Sequence, residues 1–279
     1  MIRLLILILL GSLPFTSYAA DKPQRIASMS LCSDELLLLL SDRDNIISLS
    51  YLVQDPQYSS LAIEHALELN DIYLNHGQAE EIITLMPDLI LSSRFSSTTA
   101  TALLRNQGYP VSSLGFPNTL EQTFLQIEEV ASLLQEEQRG TQLIQQIQSS
   151  IQALQAKLNS RQNITAVFYA NNGFSFGSDT LRNDFLNSIG IKNLAAEQGL
   201  VGSGKLSLEL LIAEQPDYLL IDRASAHDEK LAQALLQHPV LARFFPSEKV
   251  IVLPSTLFQC AGPGLIEAYE IMAQALGDL

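Results

Sequence analysis

A short unit of sequence occurs twice in this chain. Residues 80–93 read EEIITLMPDLILSS, and residues 209–222 read ELLIAEQPDYLLID. In each copy a glutamate heads a short helical pattern, Pro-Asp ends that pattern, and an apolar run typical of a buried strand follows. A helix, a break and a strand that recur so far apart in the chain predict a fold with two similar α/β halves.

Strand and helix patterns alternate in both halves. Short apolar runs at 25–30, 45–50 and 88–92 predict strands in the first half, and runs at 164–170 and 249–255 predict strands in the second. Helical patterns separate these runs. Strands that alternate with helices are typical of a parallel, doubly wound sheet.

A longer helical segment lies between the halves. After a break that we place near Gly140, apolar residues recur every three or four positions, at Leu143, Ile147, Ile151, Leu154 and Leu158. This spacing predicts an amphipathic helix over 137–158. At a rise of 1.5 Å per residue the helix is about 33 Å long, enough to run the height of a small protein.

The predicted fold class is therefore α/β, with two Rossmann-like lobes built on parallel sheets. A single long backbone helix joins the lobes, and a ligand cleft lies between them, because ligands of open α/β sheets bind at the carboxyl ends of the strands. We assign residues 1–19 to a signal peptide, 20–135 to the N-terminal lobe, 136–160 to the connecting helix and 161–279 to the C-terminal lobe.

The signal peptide is predicted from the first residues. Arg3 precedes the apolar run LLILILL, and small residues at 17 and 19 allow cleavage after Ala19. A charged, an apolar and a small-residue region in this order are typical of a secretory signal. A membrane anchor is the alternative, but the run is short for a bilayer span. We expect an exported, soluble protein.

Charge and motifs limit the classes of function. The formal net charge is −14 at pH 7, whereas nucleic-acid binding and adhesion to anionic lipid need basic surfaces. We expect no nucleic-acid partner and no membrane insertion. The four histidines form no H-E-x-x-H pattern, and GSGK at 202–205 lacks the spacing of a phosphate-binding loop. We expect a binding protein rather than an enzyme.

The two cysteines, Cys32 and Cys260, leave an alternative open. Two cysteines in an exported protein often form a bridge, and two free thiols are the other possibility. Neither cysteine has a partner at zinc-finger spacing, so we expect no structural zinc and no cofactor.

Several segments, taken in order, resemble the periplasmic substrate-binding proteins of ABC importers for ferric siderophores, haem and cobalamin. They are RIASMSLCSDELLLLL, NHGQAEEIITLMPDLIL, the helix over 137–158, SLELLIAEQPDYLLID and FQCAGPG. The chain is similar above all to the cobalamin-binding branch. The resemblance implies a monomer in the periplasm that captures cobalamin, a related corrinoid or a ferric siderophore and delivers it to a permease and its ATPase. Haem is the alternative ligand, and a secreted enzyme or sensor on the same scaffold is the alternative class.

The resemblance also implies that one glutamate of each lobe docks onto arginines of the permease. These are Glu80 and Glu209, each seven residues before its Pro-Asp. A carboxylate in the first turn of a helix also favours the helix dipole, so helix capping is the alternative role.

The loops after the strands supply the candidate ligand contacts. Aromatic rings there offer stacking faces, Arg94 offers a partner for a carboxylate or phosphate, and His76 offers an axial ligand to a metal centre. Similar cobalamin binders carry an arginine where this chain has Cys260. The candidates are Cys32, Tyr51, His76, Arg94, Phe95, Asn171, Asn172, Phe174, Phe258, Gln259 and Cys260.

Overall fold

The computed structural model describes residues 21–95, 98–158, 163–223 and 239–277, except 62–68, 70, 261 and 263. The first part of the chain contains β1 (Ile26–Ser28), α1 (Leu31–Leu40), β2 (Ile46–Ser50), β3 (Tyr73–Asn75), α2 (Ala79–Ile83), β4 (Leu89–Ser93), α3 (Thr98–Asn106), β5 (Val111–Leu114) and α4 (Leu120–Leu134). The long helix α5 (Glu137–Leu158) follows. The second part contains β6 (Thr165–Tyr169), β7 (Phe174–Phe176), α6 (Leu181–Ser188), β8 (Lys192–Asn193), α7 (Leu194–Glu197), β9 (Ser203–Lys205), α8 (Leu208–Glu214), β10 (Tyr218–Arg223), α9 (Pro239–Phe244), β11 (Val250–Pro254) and α10 (Gly264–Gly277).

Each lobe is built on its own parallel sheet. The N-terminal sheet has the strand order β3-β2-β1-β4-β5, and the C-terminal sheet has the order β11-β10-β6-β8. All neighbouring strands in both sheets are parallel. The first strand of each lobe, β1 or β6, lies inside its sheet. Later strands are added on both sides of it, so the strand order reverses at that point. Such a point leaves a crevice at the carboxyl ends of the strands. The predicted fold class is confirmed.

The repeated Pro-Asp unit has the same backbone shape in both lobes. Met86 and Gln215, which precede Pro87 and Pro216, both adopt the left-handed conformation, with φ of 48° and 42°. A left-handed residue ends an α-helix, and the proline after it prevents the helix from continuing. Gln215 directly caps α8, whereas α2 ends at Ile83 and Met86 lies three residues further on, so the shared feature is the left-handed residue before the proline.

The aspartate of each Pro-Asp pair ties the unit to the first strand of its lobe. Asp88 accepts hydrogen bonds from the backbone N–H groups of Gln24 at 2.8 Å and Arg25 at 3.0 Å. Asp217 accepts one from the backbone N–H of Thr165 at 2.8 Å. These contacts fix β4 beside β1 and β10 beside β6, which explains why the pair occurs twice.

The long predicted helix is confirmed as α5, but the predicted break near Gly140 is wrong. The chain breaks at Gln135, which has a left-handed backbone with φ of 55°. Gly140 lies inside α5, where a Cβ atom would be 2.6 Å from the Cβ of Ala131. The glycine lets α5 pack closely against α4, which is a reason for glycine that a helical pattern does not reveal.

One contiguous apolar core runs through both lobes. It includes Leu49 of the N-terminal sheet, Ile147 of α5, Phe168 of the C-terminal sheet and Tyr269 of α10, each at most 1% exposed. Burying side chains of this size stabilises the fold by roughly 1.5–3 kcal/mol each. Because α5 contributes to the core throughout, the lobes share one interior rather than meeting across a soft interface.

The small third sheet was not predicted. β7 and β9 pair antiparallel, in segments for which the sequence predicts no strand. β3, with three residues, also lies in a segment that shows no clear periodicity. Each of these strands pairs with a strand distant in sequence, and a short sequence pattern does not indicate such a partner. The predicted signal peptide over 1–19 lies outside the described residues. No helix in the described ranges is long and apolar enough to cross a membrane.

The structure decides the cysteine alternative in favour of a bridge. Cys32 and Cys260 form a disulfide, with their Cα atoms 4.9 Å apart. Cys32 lies in the first turn of α1, and Cys260 lies between β11 and α10. The bridge therefore ties the two lobes together at the base of the cleft.

We expect the disulfide to stabilise the fold substantially, because it closes a loop of 228 residues and so restricts the unfolded chain. Replacing Cys32→Ser and Cys260→Ser together should lower the free energy of unfolding by about 2–5 kcal/mol. Urea unfolding followed by circular dichroism measures this. The wild-type chain treated with a reductant is the control and should show a similar loss. An unchanged unfolding midpoint in both samples would contradict the stabilising role.

Candidate functional site

A cavity of about 470 Å³ opens at the carboxyl ends of the N-terminal sheet. Segments that follow β1, β2, β3, β4 and β5 form its walls. Gln259 of the C-terminal lobe and the bridged Cys32 also line it. The cavity thus lies where the lobes meet, as the sequence predicts for the cleft. Within the described residues, however, the N-terminal lobe supplies almost all of the wall.

Two stacked aromatic pairs stand on opposite sides of this cavity. Tyr51 and His76 stack with ring centroids 5.0 Å apart, and Phe95 and Phe116 stack at 5.2 Å. The first pair follows β2 and β3, and the second follows β4 and β5, so that the central strand β1 separates them. Tyr51, Phe95 and Phe116 are 49%, 70% and 52% exposed, which is unusual for large apolar rings. Exposed flat faces around a cavity indicate a ligand site.

The described lining of the cavity is almost uncharged. No Asp, Glu, Lys or Arg contributes to its lining in the part of the chain that the structure describes. The polar groups of the wall include the side chains of Ser30, Ser50, Ser93 and Gln259. Apolar faces with a few hydroxyl and amide groups suit a ligand that is flat and carries little charge where it is held.

Part of the predicted ligand set comes together at this cavity. The members that line it are Cys32, Tyr51, His76, Phe95 and Gln259. The parallel topology explains this, because residues just after different strands of one sheet meet at the same edge. Their contact with a ligand stays a prediction.

Other predicted contacts lie away from the cavity lining. Arg94 is exposed, and its Nε donates a hydrogen bond to the backbone carbonyl of Ser113 at 3.2 Å. Phe174 lies in β7 and is 39% exposed. Asn172 is exposed and has a left-handed backbone with φ of 57°. The side chain of Asn171 is outside what the structure describes.

Phe258 is a core residue, so its placement in the cleft by sequence is wrong. The side chain is 5% exposed, and its ring packs edge-on against Phe168 at 5.4 Å and Phe185 at 5.1 Å. The guanidinium carbon of Arg182 lies 4.9 Å from the same ring. Cys260 is also buried, at 3% exposed. The chain turns sharply after β11, and a residue count from the strand end does not predict which side chains that turn buries.

Phe116 belongs to the site although sequence reasoning missed it. It follows β5, just as Tyr51 follows β2 and Phe95 follows β4. An aromatic residue shortly after a predicted strand is the feature that indicates it. Tyr51 and Phe95 were selected on that feature, and it applies equally to Phe116.

One segment matches a catalytic motif in sequence but not in structure. Residues 173–177 read GFSFG, which fits the G-x-S-x-G pattern of hydrolases. In a hydrolase the serine lies on a strained strand-to-helix turn with its hydroxyl exposed. Ser175 instead lies in β7, is fully buried, and donates a hydrogen bond to the backbone carbonyl of Phe168 at 2.7 Å. Ser175 is therefore not placed as a nucleophile.

A buried carboxylate behind the wall holds the segment that carries Tyr51. Asp34 is fully buried and accepts a hydrogen bond from the backbone N–H of Ser50 at 3.0 Å. The hydroxyl of Ser50 also donates to it. Burial raises the pKa of Asp34 to about 7, although hydrogen bonds from Ser28 and Ser50 lower it in part. Because Ser50 precedes Tyr51, this contact fixes the backbone of one stacking ring.

His76 is held by a carboxylate as well. Its ring Nδ1 lies 3.1 Å from Oε1 of Glu81, and its backbone N–H donates to Oε2 of Glu81 at 2.8 Å. Glu81 also accepts a hydrogen bond from the backbone N–H of Gln78 at 3.3 Å, which satisfies a free donor at the start of α2. The carboxylate thus joins the cavity to the N-terminus of α2.

Glu80 and Glu209 occupy equivalent positions in the two lobes. Each is the second residue of its helix, and each side chain is exposed. The negative charge of Glu209 also contributes, after burial, to a raised pKa of Tyr169, the last residue of β6. Glu209 therefore lies near the carboxyl end of the C-terminal sheet. Their docking role stays a prediction.

The comparisons with known proteins agree with this architecture. Residues 26–257 match the family model described as periplasmic binding protein. The chain belongs to the periplasmic binding protein family. Within the described residues, the strands of both parallel sheets fall inside the matched range.

Individual relatives of this periplasmic binding protein are distant but align over most of its length. A vitamin B12-binding protein of Photorhabdus laumondii is 27% identical over 289 residues, which cover 99% of this chain and 96% of that protein. YvrC of Bacillus subtilis, an uncharacterized ABC transporter substrate-binding lipoprotein, is 24% identical over 267 residues, 91% of this chain and 80% of its own. The crystal structure of the periplasmic haem-binding protein HutB of Vibrio cholerae superposes with a TM-score of 0.73 at 24% identity and covers 90% of this chain and 98% of that one.

We expect Asp34 to make stability depend on pH. Its pKa is about 7 in the fold against 3.8 for the ordinary group, so the folded state favours the protonated form. The resulting stabilisation is complete below pH ~4 and is lost as pH rises towards about 7, by at most about 1.4 kcal/mol per pH unit. Asp34→Asn should flatten this part of the stability profile, measured by urea unfolding between pH 4 and pH 8.

The matched control is Asp44→Asn, the same change at an exposed position. It should leave the wild-type profile intact. A profile for Asp34→Asn that runs parallel to the wild type would show that Asp34 titrates normally.

Proposed function

We propose that this periplasmic binding protein captures a metal chelate and delivers it to the permease and ATPase of an ABC importer. The observation that carries the proposal is a cavity without charged side chains among its described lining residues, flanked by two exposed, stacked aromatic pairs. The relatives support the class, because their printed names describe proteins that bind vitamin B12 or haem or that serve ABC transporters. Such names describe proteins that bind a ligand and do not convert it chemically.

The chemistry of the wall favours a flat macrocycle. Aromatic faces on both sides of a cavity stack on a planar ring system. A ferric siderophore with anionic ligands would be better matched by arginine or lysine, and no such residue lines the cavity in the described ranges. We therefore place cobalamin or a related corrinoid first and haem next to it, with a ferric siderophore as the third candidate.

A chelate fits this site better than a bare metal ion. Among the described residues no group of three His, Cys, Asp or Glu side chains converges to hold a metal. A chelate brings most of its metal ligands with it, so the protein needs to supply at most an axial one. His76 is the candidate for that role, because its ring lines the cavity and is 64% exposed.

Delivery requires the transporter to recognise both lobes. We infer that Glu80 and Glu209 supply this contact, because they are exposed carboxylates at the same position of equivalent helices. A carboxylate in a first helical turn accepts a bidentate hydrogen bond from an arginine without disturbing the fold. Helix α5 and the disulfide hold the lobes together, so the distance between the two glutamates changes little when ligand binds. The proposed setting is the periplasm, where the protein acts as a monomer.

Loss of a stacking ring should weaken binding of the chelate. We expect Tyr51→Ala and Phe116→Ala each to reduce affinity about tenfold, because a lost aromatic contact costs roughly 1–1.5 kcal/mol. Absorbance titration with cyanocobalamin, haemin and a panel of ferric siderophores measures the effect. The matched control is Tyr73→Ala, which removes a ring that is 45% exposed outside the cavity wall.

The titration also tests the proposed function as a whole. Micromolar or tighter binding of at least one probe supports it. If the wild-type protein binds none of the three classes at micromolar concentration, the metal-chelate function is wrong.

The docking contact has its own test. The double variant Glu80→Ala, Glu209→Ala should keep the affinity for the chelate and lose uptake by at least about tenfold, since each charge-assisted contact contributes roughly 1.5–3 kcal/mol. Uptake of a radiolabelled chelate by cells that carry the cognate importer measures this. The matched control, Glu121→Ala with Glu214→Ala, removes two other exposed helix glutamates and should transport normally. Normal uptake by the Glu80, Glu209 variant would refute the docking role.

A further inference from the structure

Glu81 makes more contacts than helix capping requires. Its Oε2 accepts hydrogen bonds from the backbone N–H groups of His76 at 2.8 Å and Gln78 at 3.3 Å. The first of these two donors lies outside α2, and the other oxygen, Oε1, lies 3.1 Å from Nδ1 of the His76 ring. Two backbone groups therefore fix the carboxylate while it faces the ring of a cavity residue.

The hydrogen bonds of Glu81 indicate which ring nitrogen of His76 carries the proton. The backbone N–H groups of His76 and Gln78 both donate to Oε2, so the carboxylate acts as a hydrogen-bond acceptor in this cluster. Oε1 of the same carboxylate then faces the ring as an acceptor as well. The contact with Nδ1 then requires Nδ1 to be the donor, which leaves the lone pair of a neutral ring on Nε2.

We propose that Glu81 is a positioning residue of the cavity, whose carboxylate holds His76 in the Nδ1–H tautomer and so offers Nε2 to the vacant axial position of a bound metal macrocycle. The histidines that bind metals in proteins donate their second ring N–H to a carboxylate or carbonyl in this way. Tyr51 adds to the restraint, because its ring stacks on the imidazole at 5.0 Å. The identity of the ligand rests on the proposed function, but the tautomer of His76 does not.

The tautomer is measured directly on the ligand-free protein. Long-range ¹⁵N–¹H correlation spectra at pH 8 distinguish Nδ1–H from Nε2–H rings, and His76→Gln assigns the signal among the four histidines. The wild type should show Nδ1–H. Glu81→Gln should shift the population towards Nε2–H, because it removes the negative charge while glutamine still caps a helix at this position.

The control for this measurement is Glu121→Gln, which changes an exposed glutamate in the first turn of α4 and should leave the His76 signal unchanged. A wild-type ring in the Nε2–H form would overturn the proposal. The same tautomer in the wild type and Glu81→Gln would overturn it as well.

The consequence for binding is measured with haemin and metal-free protoporphyrin IX as probes. The wild type should prefer haemin, and Glu81→Gln should reduce that preference about 10–100-fold, the usual cost of losing the partner of a metal-binding histidine. His76→Phe keeps a flat ring without a nitrogen and should abolish the preference. Both variants should bind metal-free protoporphyrin like the wild type. An unchanged preference for haemin would refute the positioning role.

The two proposals fail separately. If the wild type binds neither porphyrin, nor cyanocobalamin, nor any ferric siderophore, the proposed function is wrong, and the NMR measurement still decides what Glu81 does to His76. If a probe binds but Glu81→Gln changes neither tautomer nor metal preference, the function stands and the role of Glu81 is limited to the helix cap.

Discussion

Burial of the apolar face of α5 is the interaction on which the rest of the structure depends. The helix has partners in both lobes, so that Leu49, Ile147 and Phe168 belong to one contiguous core. A packed interior of this kind resists deformation, because moving one lobe relative to the other opens cavities along the whole contact. The disulfide between Cys32 and Cys260 adds a covalent tie at the base of the cleft. The cavity is consequently formed before a ligand arrives, and binding requires little lobe movement.

A preformed cavity also explains how the polar support of the site is arranged. Two carboxylates behind the wall, Asp34 and Glu81, hold the backbone just before Tyr51 and at His76. These contacts place two rings side by side without adding charge to the wall itself. Holding rings in advance reduces the conformational entropy that binding must otherwise overcome. Asp34 and Glu81 therefore act on ligand binding indirectly, through hydrogen bonds to the backbone beside the two rings.

The repeated Pro-Asp unit turns out to combine a structural and a proposed functional element. Its proline follows a left-handed residue beyond the helix, and its aspartate attaches the following strand to the first strand of the lobe. Its leading glutamate takes no part in those contacts and stays exposed in both copies. The duplication of the structural part places the two glutamates at matching points of the two lobes, which is the geometry that a two-point contact with a transporter needs.

The sequence by itself determined the parallel α/β halves, the helix over 137–158 and the placement of Tyr51, His76 and Phe95 at strand ends. These follow from periodicity and from the rule that residues after parallel strands share one edge, both of which are local properties of the chain. Only the tertiary structure decided that the two cysteines are bridged and that Phe258 is core while Phe116 faces the cavity. It alone paired β7 with β9 and brought Glu81 onto the ring of His76. Those outcomes depend on which side chains meet after the chain turns, and the direction of a turn is set by packing against residues far away in sequence.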